Sequence, residues 1–334
     1  MFTLFLQKIT DLDITHYHKD FIDYLESKKW VFEPKNLYEP IEYIIKLGGK
    51  RIRPILTLIG ADIFSNEYHK AMPAALAIEV FHNFTLIHDD IMDDAPLRRG
   101  KQTVHEKWDI NTGILSGDAM LILAYQYFEN YEPNVFQKLA KLFSKTALEV
   151  CDGQQLDVDF ETRNDVTIDE YINMIRLKTS VLVGAALKMG AIVAETSDEN
   201  ANLIYDFGLN LGLAFQLQDD FLDTFGNPET FGKQVGGDII ENKKTFLYLK
   251  ALEVANEDDR QKLRYYYNQK LEDNSVKIPE VTRILEQNDI PLLVKNKIQF
   301  YTEKAFDTLA SMEISNKNKE GLKKFGLWLM NRSV

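Results

Sequence analysis

The chain has 334 residues, of which 45% are hydrophobic and 27% charged, and its formal net charge is −12 at pH 7. The acidic balance argues against nucleic acid as a partner, because phosphate backbones bind broad basic surfaces. A single cysteine excludes an intrachain disulfide, and no stretch of about 18 uncharged apolar residues is present to cross a membrane. The first twenty residues also lack the basic flank and apolar run of a signal peptide. We therefore expect a cytoplasmic protein.

In chain order, the predicted elements are almost all helices. Apolar residues recur at three- and four-residue spacing in PAALAIEVFHNFTLIHDDIMDD and in NLIYDFGLNLGLAFQLQDDFLDTF. Between these segments, SGDAMLILAYQYFENY is so apolar that it predicts a buried central helix. Glycine and proline concentrate at breaks such as LGGKRIRP and FGNPETFGKQVGGD, and no linker interrupts the pattern. We predict one all-α domain over residues 1–334, with several helices around a deep central cavity.

The break LGGKRIRP forms the first basic island of this acidic chain. The glycine pair at 48–49 predicts the end of one helix, and Pro54 is a good first residue for the next. Lys50, Arg51 and Arg53 lie between them. Backbone amides at a helix start, together with arginine side chains, form a phosphate-binding site.

The first acidic stripe lies in LIHDDIMDDAPLRRG. Asp89 and Asp93 share one helix face with His82, although like charges at this spacing cost a few tenths of a kcal/mol. A solvated acidic helix end is the simpler interpretation of such a pattern. The apolar approach EVFHNFTLI instead favours a buried helix whose aspartates end at the rim of a cavity. Arg98 and Arg99 follow directly.

A second acidic stripe, FQLQDDFLDTF, repeats the pattern. Its polar residues follow helical spacing on one face: Gln216, Asp219, Asp220 and Asp223. Carboxylates of this kind suit Mg²⁺, a hard ion that binds oxygen ligands and substrate phosphates. Calcium is disfavoured because neither stripe has the loop spacing of an EF-hand, and zinc because the histidines and the cysteine form no cluster.

Further basic residues accompany the second stripe. Lys178 and Thr179 lie among small and apolar residues in MIRLKTSVLVGAALKMG, where a charge requires an anionic partner. Lys233 and Lys243 flank the sequence GGD. Any one of these lysines alone is more often a surface residue. Together with the two acidic stripes they predict a pocket for two diphosphate groups, one held by metal and the other by arginine and lysine.

These motifs resemble those of the trans-prenyl diphosphate synthases. The resemblance rests on GGKxxRP, DDxxD followed by RRG, GQxxD, KT, and QxxDDxxD followed by GK and GGD, in this order from Gly48 to about Lys243. It implies an all-α isoprenoid-synthase bundle that works as a homodimer. It also implies Mg²⁺-dependent head-to-tail condensation of isopentenyl diphosphate with an allylic diphosphate, which is dimethylallyl, geranyl or farnesyl diphosphate.

The resemblance implies roles for single residues. Ligands of about three Mg²⁺ ions would be Asp89, Asp93 and Asp219, with support from Asp90, Asp220 and Asp223. The allylic diphosphate would contact Arg98, Lys178 and Lys233, with Lys243 nearby. The metal-free isopentenyl diphosphate site would comprise Lys50, Arg53, His82 and Arg99. Beside the reacting carbons would lie Thr179 and Gln216. Further substrate-binding residues, from the GQxxD motif, would be Gln154 and Asp157.

Product length is predicted from Phe84 and Thr85, which by resemblance help set the floor of the product tunnel. One bulky and one small residue predict the C20 product, geranylgeranyl diphosphate. Farnesyl (C15) and longer products stay open, because deeper side chains would set the floor if Phe84 is simply core. A class I terpene cyclase is disfavoured because it has no use for a metal-free diphosphate site. A non-catalytic subunit is disfavoured because both aspartate motifs are intact.

Overall fold

A computed structural model of the chain describes residues 14–227, 235–269, 271 and 273–330. Helices α1 to α8 span Thr15–Glu26, Lys35–Lys46, Ile52–Ser65, Met72–Met92, Val104–Lys107, Ile110–Gln126, Pro133–Thr162 and Ile168–Ile175. Helices α9 to α16 span Val181–Val193, Asp198–Phe225, Gly237–Ile240, Phe246–Val254, Glu257–Tyr267, Lys277–Gln287, Ile290–Ser311 and Asn316–Met330. Short 3₁₀ helices span Tyr68–Ala71 and Tyr127–Asn130, and a π-helical turn spans Arg176–Ser180.

The predicted all-α fold class is confirmed. Within the described ranges, the strands are β1 (Leu97–Arg98) and β2 (Lys101–Gln102), which pair antiparallel as a small hairpin. The two long apolar segments that the sequence singles out form α4 and α10. In the part of the chain that the structure describes, no helix has both the length and the apolarity to cross a membrane.

The internal contacts of the chain divide it into two compact units. The first contains the described residues up to Ser144 together with Ala185–Ile204, and the second contains Lys145–Gly184 and the described residues from Tyr205 onward. The single domain expected over residues 1–334 stays a prediction.

Two glycines bring α3 and α9 close together in the first unit. A β-carbon at Gly60 would overlap the backbone carbonyl oxygen of Leu187, and one at Gly190 would overlap that of Thr57. Only glycine allows backbones to approach so closely. This contact fixes α3, which carries Arg53 in its first turn.

Helix α6 differs from the sequence prediction. Within the predicted segment, residues 116–131, Met120 and Ala124 are fully buried, but Ile122 is 59% exposed. Ile114 and Leu115, which directly precede it in the same helix, are 41% and 60% exposed. The prediction that this segment forms a buried central helix is therefore wrong for the isolated chain. Several exposed positions of the helix are apolar, so apolar composition alone cannot distinguish a buried helix from one with a second apolar surface.

The second unit has its own apolar core, which includes residues from α8, α10, α12, α14 and α15. Two glycines of this unit lie against the π-helical turn. A β-carbon at Gly153 would overlap the backbone nitrogen of Lys178, and one at Gly212 would lie 2.8 Å from the Cα atom of Ser180. The π-helical turn, a local distortion common at functional sites, carries the predicted site residues Lys178 and Thr179.

Candidate active site

The loop between α2 and α3 brings Arg99 against the glycine pair. Gly48 and Gly49 have φ angles of +81° and +129°, which glycine adopts at little steric cost. A β-carbon at Gly49 would lie 2.8 Å from Nη2 of Arg99, and Nη1 of Arg99 donates a hydrogen bond to the carbonyl oxygen of Gly48. Lys50 follows and is exposed. The structure therefore places two of the predicted isopentenyl diphosphate residues at one loop.

Arg53 and His82, which belong to the same predicted set, contact each other. Nη1 of Arg53 lies 3.2 Å from Nε2 of His82. Burial, together with the charges of Arg53, Arg99 and neighbouring arginines, holds the pKa of His82 well below its ordinary value. His82 is therefore neutral, and because a guanidinium can only donate, Nε2 of His82 accepts this hydrogen bond.

Arg51 has a structural role that its place in the basic island did not reveal. Its guanidinium donates to Oε1 of Glu79 and to the carbonyl oxygen of Ile45, and both side chains of the ion pair are 3% exposed. Asn83 also donates to Oε1 of Glu79, at 3.0 Å. The only signal in the sequence was the presence of Glu79 in an otherwise apolar stretch of α4.

Helix α4 ends on the first acidic stripe. Asp89 is half-buried in its last turn, and Asp93 follows Met92 and is exposed. Asp90 is 1% exposed, and its carboxylate accepts a hydrogen bond from Nε of Arg98 at 2.8 Å. Burial raises the pKa of Asp90, and the Arg98 guanidinium partly offsets this rise.

The β1–β2 hairpin directs two adjacent arginines to different partners. Its turn residues, Arg99 and Gly100, both have positive φ angles, +54° and +74°. Two such residues form the type I′ turn that matches the twist of a tight hairpin. Arg98 thereby contacts Asp90, while Arg99 contacts the carbonyl oxygen of Gly48.

The two predicted chain-length residues lie two turns before Asp93 in α4. Phe84 is 8% exposed, and its ring centroid lies 5.5 Å from that of Phe81 and 4.7 Å from that of His88. Thr85 is half-buried, and its hydroxyl donates to the carbonyl oxygen of His82 at 2.9 Å. Phe84 therefore belongs to a packed aromatic group, and its role in product length stays a prediction.

In the second unit, Asp157 joins two predicted basic residues. Its Oδ2 atom lies 2.6 Å from Nζ of Lys178 and 3.6 Å from Nζ of Lys243. Burial alone would raise the pKa of Asp157, but the two lysines lower it below its ordinary value. Gln154, one turn earlier in α7, is buried. The predicted GQxxD and KT motifs therefore meet, and Lys243 joins them.

The second acidic stripe centres on Asp220, which is 5% exposed. Its carboxylate accepts hydrogen bonds from the hydroxyl of Tyr171 and, at 2.9 Å, from Nε2 of Gln216. Gln216 in turn accepts from the hydroxyl of Thr179 at 3.1 Å. Burial raises the pKa of Asp220 to about 7; the two hydrogen bonds oppose this rise, and the charges of Asp219 and Asp223 add to it. Tyr171 lies 49 residues from Asp220 and was not identified from the sequence.

Asp223, another member of this stripe, accepts hydrogen bonds from the backbone at Gly236 and Asp238. Oδ1 of Asp223 accepts from the backbone N–H of Asp238 at 2.9 Å, and the carbonyl oxygen of Asp223 accepts from the N–H of Gly236. Asp219 is half-buried. The predicted diphosphate contact Lys233 lies outside the described residues.

The carboxylates at the ends of α4 and α10 fit the predicted Mg²⁺ chemistry. Asp89 and Asp93 lie one helical turn apart with oxygen ligands of the kind that Mg²⁺ prefers. The buried, hydrogen-bonded Asp90 and Asp220 fit the supporting role expected of them. A separate cluster of metal-binding residue types, Asp94, His105 and Glu106, was not identified from the sequence.

A surface cavity of about 570 Å³ lies beside the hairpin. Its lining contains three lysines that the sequence did not single out, Lys46, Lys101 and Lys107.

Known proteins share both the sequence and the fold of this chain. The chain is 42% identical over 225 residues to the geranylgeranyl diphosphate synthase of Methanosarcina mazei, a match that covers 67% of this chain and 69% of that protein. It is 33% identical over 304 residues to the geranylfarnesyl diphosphate synthase of Aeropyrum pernix, with coverage of 89% and 92%. A crystal structure of a geranylgeranyl pyrophosphate synthase matches with a TM-score of 0.92 and 53% identity, over 96% of this chain and 99% of that one.

The family assignment agrees with these similarities. Residues 34–285, well over half of the chain, match the sequence model of the polyprenyl synthetase family. The chain therefore belongs to the polyprenyl synthetase family and is a prenyltransferase, as the resemblance of its motifs predicted.

Proposed function

We propose that the protein condenses isopentenyl diphosphate with an allylic diphosphate in a Mg²⁺-dependent, head-to-tail reaction, and that its main product is geranylgeranyl diphosphate. The observation that carries the proposal is the family match together with two acidic stripes at the ends of the apolar helices α4 and α10. The similar proteins named geranylgeranyl synthases support the C20 product.

Two sets of basic residues are proposed to bind the two diphosphates. In the first unit, Arg53, neutral His82, Arg99 and Lys50 are proposed to bind isopentenyl diphosphate without metal, because guanidinium and ammonium groups neutralise its charge. By resemblance, Arg98, Lys178 and Lys233 are proposed to bind the allylic diphosphate. Thr179 and Gln216, which contact each other, are proposed to lie beside the reacting carbons.

Asp89, Asp93 and Asp219 are proposed to hold Mg²⁺, about three ions in all. When bound, Mg²⁺ supplies positive charge that stabilises the departing diphosphate. Arg98 and Lys178 assist by the same electrostatic effect, which matters most where negative charge develops in the transition state. The apolar side chains of α4 and α10 exclude water, which would otherwise trap the allylic cation.

The reaction is tested with the purified full-length protein, isopentenyl diphosphate and each of the three allylic starters, with Mg²⁺ or with EDTA. We expect one diphosphate released for each C5 unit added, and mostly C20 alcohol after dephosphorylation and chromatography. Turnover that survives EDTA, or that needs no isopentenyl diphosphate, would contradict the proposed reaction. A main product of C15 or C25 would leave the reaction intact and overturn only the product length.

Phe84 and Thr85 are proposed to limit product length, because a larger side chain at 85 shortens an apolar tunnel and a smaller one at 84 extends it. We expect shorter products from Thr85→Phe and longer ones from Phe84→Ala. A product distribution that neither substitution changes would show that other side chains set the limit.

A homodimer is proposed to cover the apolar face of α6. Ile114, Leu115 and Ile122 are exposed in the isolated chain, and contiguous apolar surfaces of this kind mark interfaces. Light scattering should give twice the mass of the chain, and Leu115→Glu with Ile122→Glu should reduce it to the monomer mass. A wild-type monomer would contradict the dimer without affecting the proposed chemistry. The single cysteine supports a reducing compartment, and we propose the cytoplasm.

A further inference from the structure

A cluster beside the β1–β2 hairpin has the composition of a transition-metal site. Asp94, His105 and Glu106 each offer one ligand atom, and the three atoms lie within 4.8 Å of one another. We propose that these residues bind a divalent transition-metal cation of the zinc class, which clamps the base of the hairpin that carries Arg98 and Arg99. None of the three residues is a predicted magnesium ligand, and the proposal does not depend on the proposed reaction.

The buried imidazole of His105 carries the argument. Its side chain is 5% exposed, and within the described ranges neither ring nitrogen has a hydrogen-bond partner. Nε2 of His105 lies 3.9 Å from Oε1 of Glu106. A buried polar group without a partner is unfavourable, because it has lost its hydrogen bonds to water. A metal ion held by the imidazole and the nearby carboxylates would give one of the two ring nitrogens a partner.

The three ligands come from both ends of the hairpin segment. Asp94 follows α4 in the left-handed conformation, with φ +49°, and His105 and Glu106 lie in the short helix α5. Between them, the N–H of Thr103 donates to the carbonyl oxygen of Pro96 at 3.2 Å. A cation bound here would therefore join the two ends of residues 95–104. It would hold Arg98 and Arg99 in their present contacts.

The ligand types select the cation. Mg²⁺ prefers an all-oxygen octahedral shell, whereas imidazole nitrogen favours zinc and its neighbours in the first transition series. The two carboxylates balance the charge of a divalent ion, and three protein ligands leave one tetrahedral position for water. Zinc ligands lie about 2.0–2.2 Å from the ion, so the three ligand atoms must approach one another by roughly 1 Å. The exposed carboxylates of Asp94 and Glu106 have the freedom to do so.

Equilibrium dialysis of the full-length protein against Zn²⁺ with excess Mg²⁺ tests the site, with bound metal counted by mass spectrometry. The Cys151→Ser background is used, because an exposed thiol such as that of Cys151 can itself bind zinc. We expect about one tightly bound zinc per chain. Asp94→Asn and Glu106→Gln should each weaken its affinity by about tenfold or more. Glu129→Gln removes an exposed carboxylate elsewhere in the first unit and should leave the affinity unchanged.

A second measurement tests the clamp. Zinc should slow amide hydrogen exchange in residues 95–104 by about tenfold or more in the parent protein, since local opening must break the site first. Glu106→Gln should abolish this protection. His105→Ala should remove zinc binding, and circular dichroism checks that this buried-site variant is folded. If His105→Ala is not folded, the variants of the exposed residues Asp94 and Glu106 decide the test.

Three outcomes would overturn the proposal. The first is no tight zinc binding in the parent protein. The second is zinc binding that survives both Asp94→Asn and Glu106→Gln. The third is zinc that is lost in the double variant Asp89→Asn, Asp93→Asn but retained in Asp94→Asn, because the ion would then occupy the first acidic stripe.

Discussion

Asp90 and Asp220 occupy the same position in two DDxxD sequences, yet their surroundings differ. Both are buried, with exposures of 1% and 5%. Asp90 accepts hydrogen bonds from a guanidinium, that of Arg98, whereas Asp220 accepts from the neutral groups of Tyr171 and Gln216. Burial raises the pKa of both carboxyls, and that of Asp220 reaches about 7.

The difference lies in how each buried charge is balanced before any ligand binds. The carboxylate of Asp90 has a fixed cation beside it, so its charge is neutralised within the protein. Among the described residues, the hydrogen-bond donors to Asp220 are neutral, and two neighbouring aspartates, Asp219 and Asp223, increase the negative charge. We therefore expect the second stripe to depend on a proton or a bound cation for its balance, and the first stripe to depend on Arg98.

The largest expected effect is on catalysis. Asp89→Ala and Asp219→Ala should each lower kcat by about 100-fold or more, because a group that helps to stabilise developing charge acts mainly in the transition state. Steady-state kinetics with saturating Mg²⁺ and both substrates measures this loss. If both acidic stripes hold metal, the two variants should lose kcat by similar factors.

Asp206→Ala provides the matched control, since Asp206 is an exposed aspartate in the same helix as Asp219. Its kcat should equal that of the wild type. If Asp219→Ala retains full kcat while Asp89→Ala does not, only the first stripe holds catalytic metal. The proposed equivalence of the two stripes would then be wrong.

The next effect is on stability in metal-free protein. Asp90→Asn should lower the free energy of unfolding by about 2 kcal/mol, because it leaves the partly buried guanidinium of Arg98 without its carboxylate. Asp220→Asn should leave the free energy of unfolding within about 0.5 kcal/mol of wild type or raise it, because it removes a buried charge whose hydrogen-bond donors, in the described part of the chain, are neutral. Urea unfolding in EDTA, followed by circular dichroism, measures both values.

The comparison between the two aspartates would fail if both substitutions destabilised the protein equally. Adding Mg²⁺ sharpens the test, since bound cations stabilise the form that binds them. Wild type should gain more stability from Mg²⁺ than Asp220→Asn does.

The sequence predicted well those features that depend on local spacing. The apolar periodicity of residues 73–94 and 202–225 located α4 and α10, and the spacing of Asp89 and Asp93 placed both at the end of α4. The order of motifs identified the family, which the comparisons confirm. These features are encoded within a few helical turns, where residue spacing fixes which side chains share a face.

Contacts between distant segments could not be predicted in this way. Tyr171 and Asp220 are 49 residues apart, and no spacing rule pairs them. The contact between Arg98 and Asp90 requires a hairpin with positive φ at Arg99, a conformation rarely found outside glycine. The exposed face of α6 was not predicted because it also carries large apolar residues, such as Leu115 and Ile122. In each case tertiary structure, rather than local sequence, decides the contact.

The smallest expected effect is on how the free energy of unfolding depends on pH, through His82 and the arginines around it. Burial and the charges of Arg53 and Arg99 lower its pKa in the folded protein well below the ordinary value of 6.5, which the unfolded chain retains. As pH falls below 6.5, the unfolded chain takes up a proton that folded His82 does not. The stability that His82 contributes is therefore complete above this pH and is lost below it.

The expected loss is at most about 1.4 kcal/mol per pH unit, which corresponds to one proton. Urea unfolding at several values between about pH 8 and pH 5.5 should show wild type losing stability more steeply than His82→Gln on the acidic side. The difference between the two proteins isolates His82, because the other titrating groups are common to both. His69→Gln, which alters an exposed histidine of the same unit, should follow wild type. Parallel curves for wild type and His82→Gln would mean that this histidine is protonated as easily in the folded protein as in the unfolded chain. The cationic surroundings that distinguish Asp90 from Asp220 would then not extend to His82.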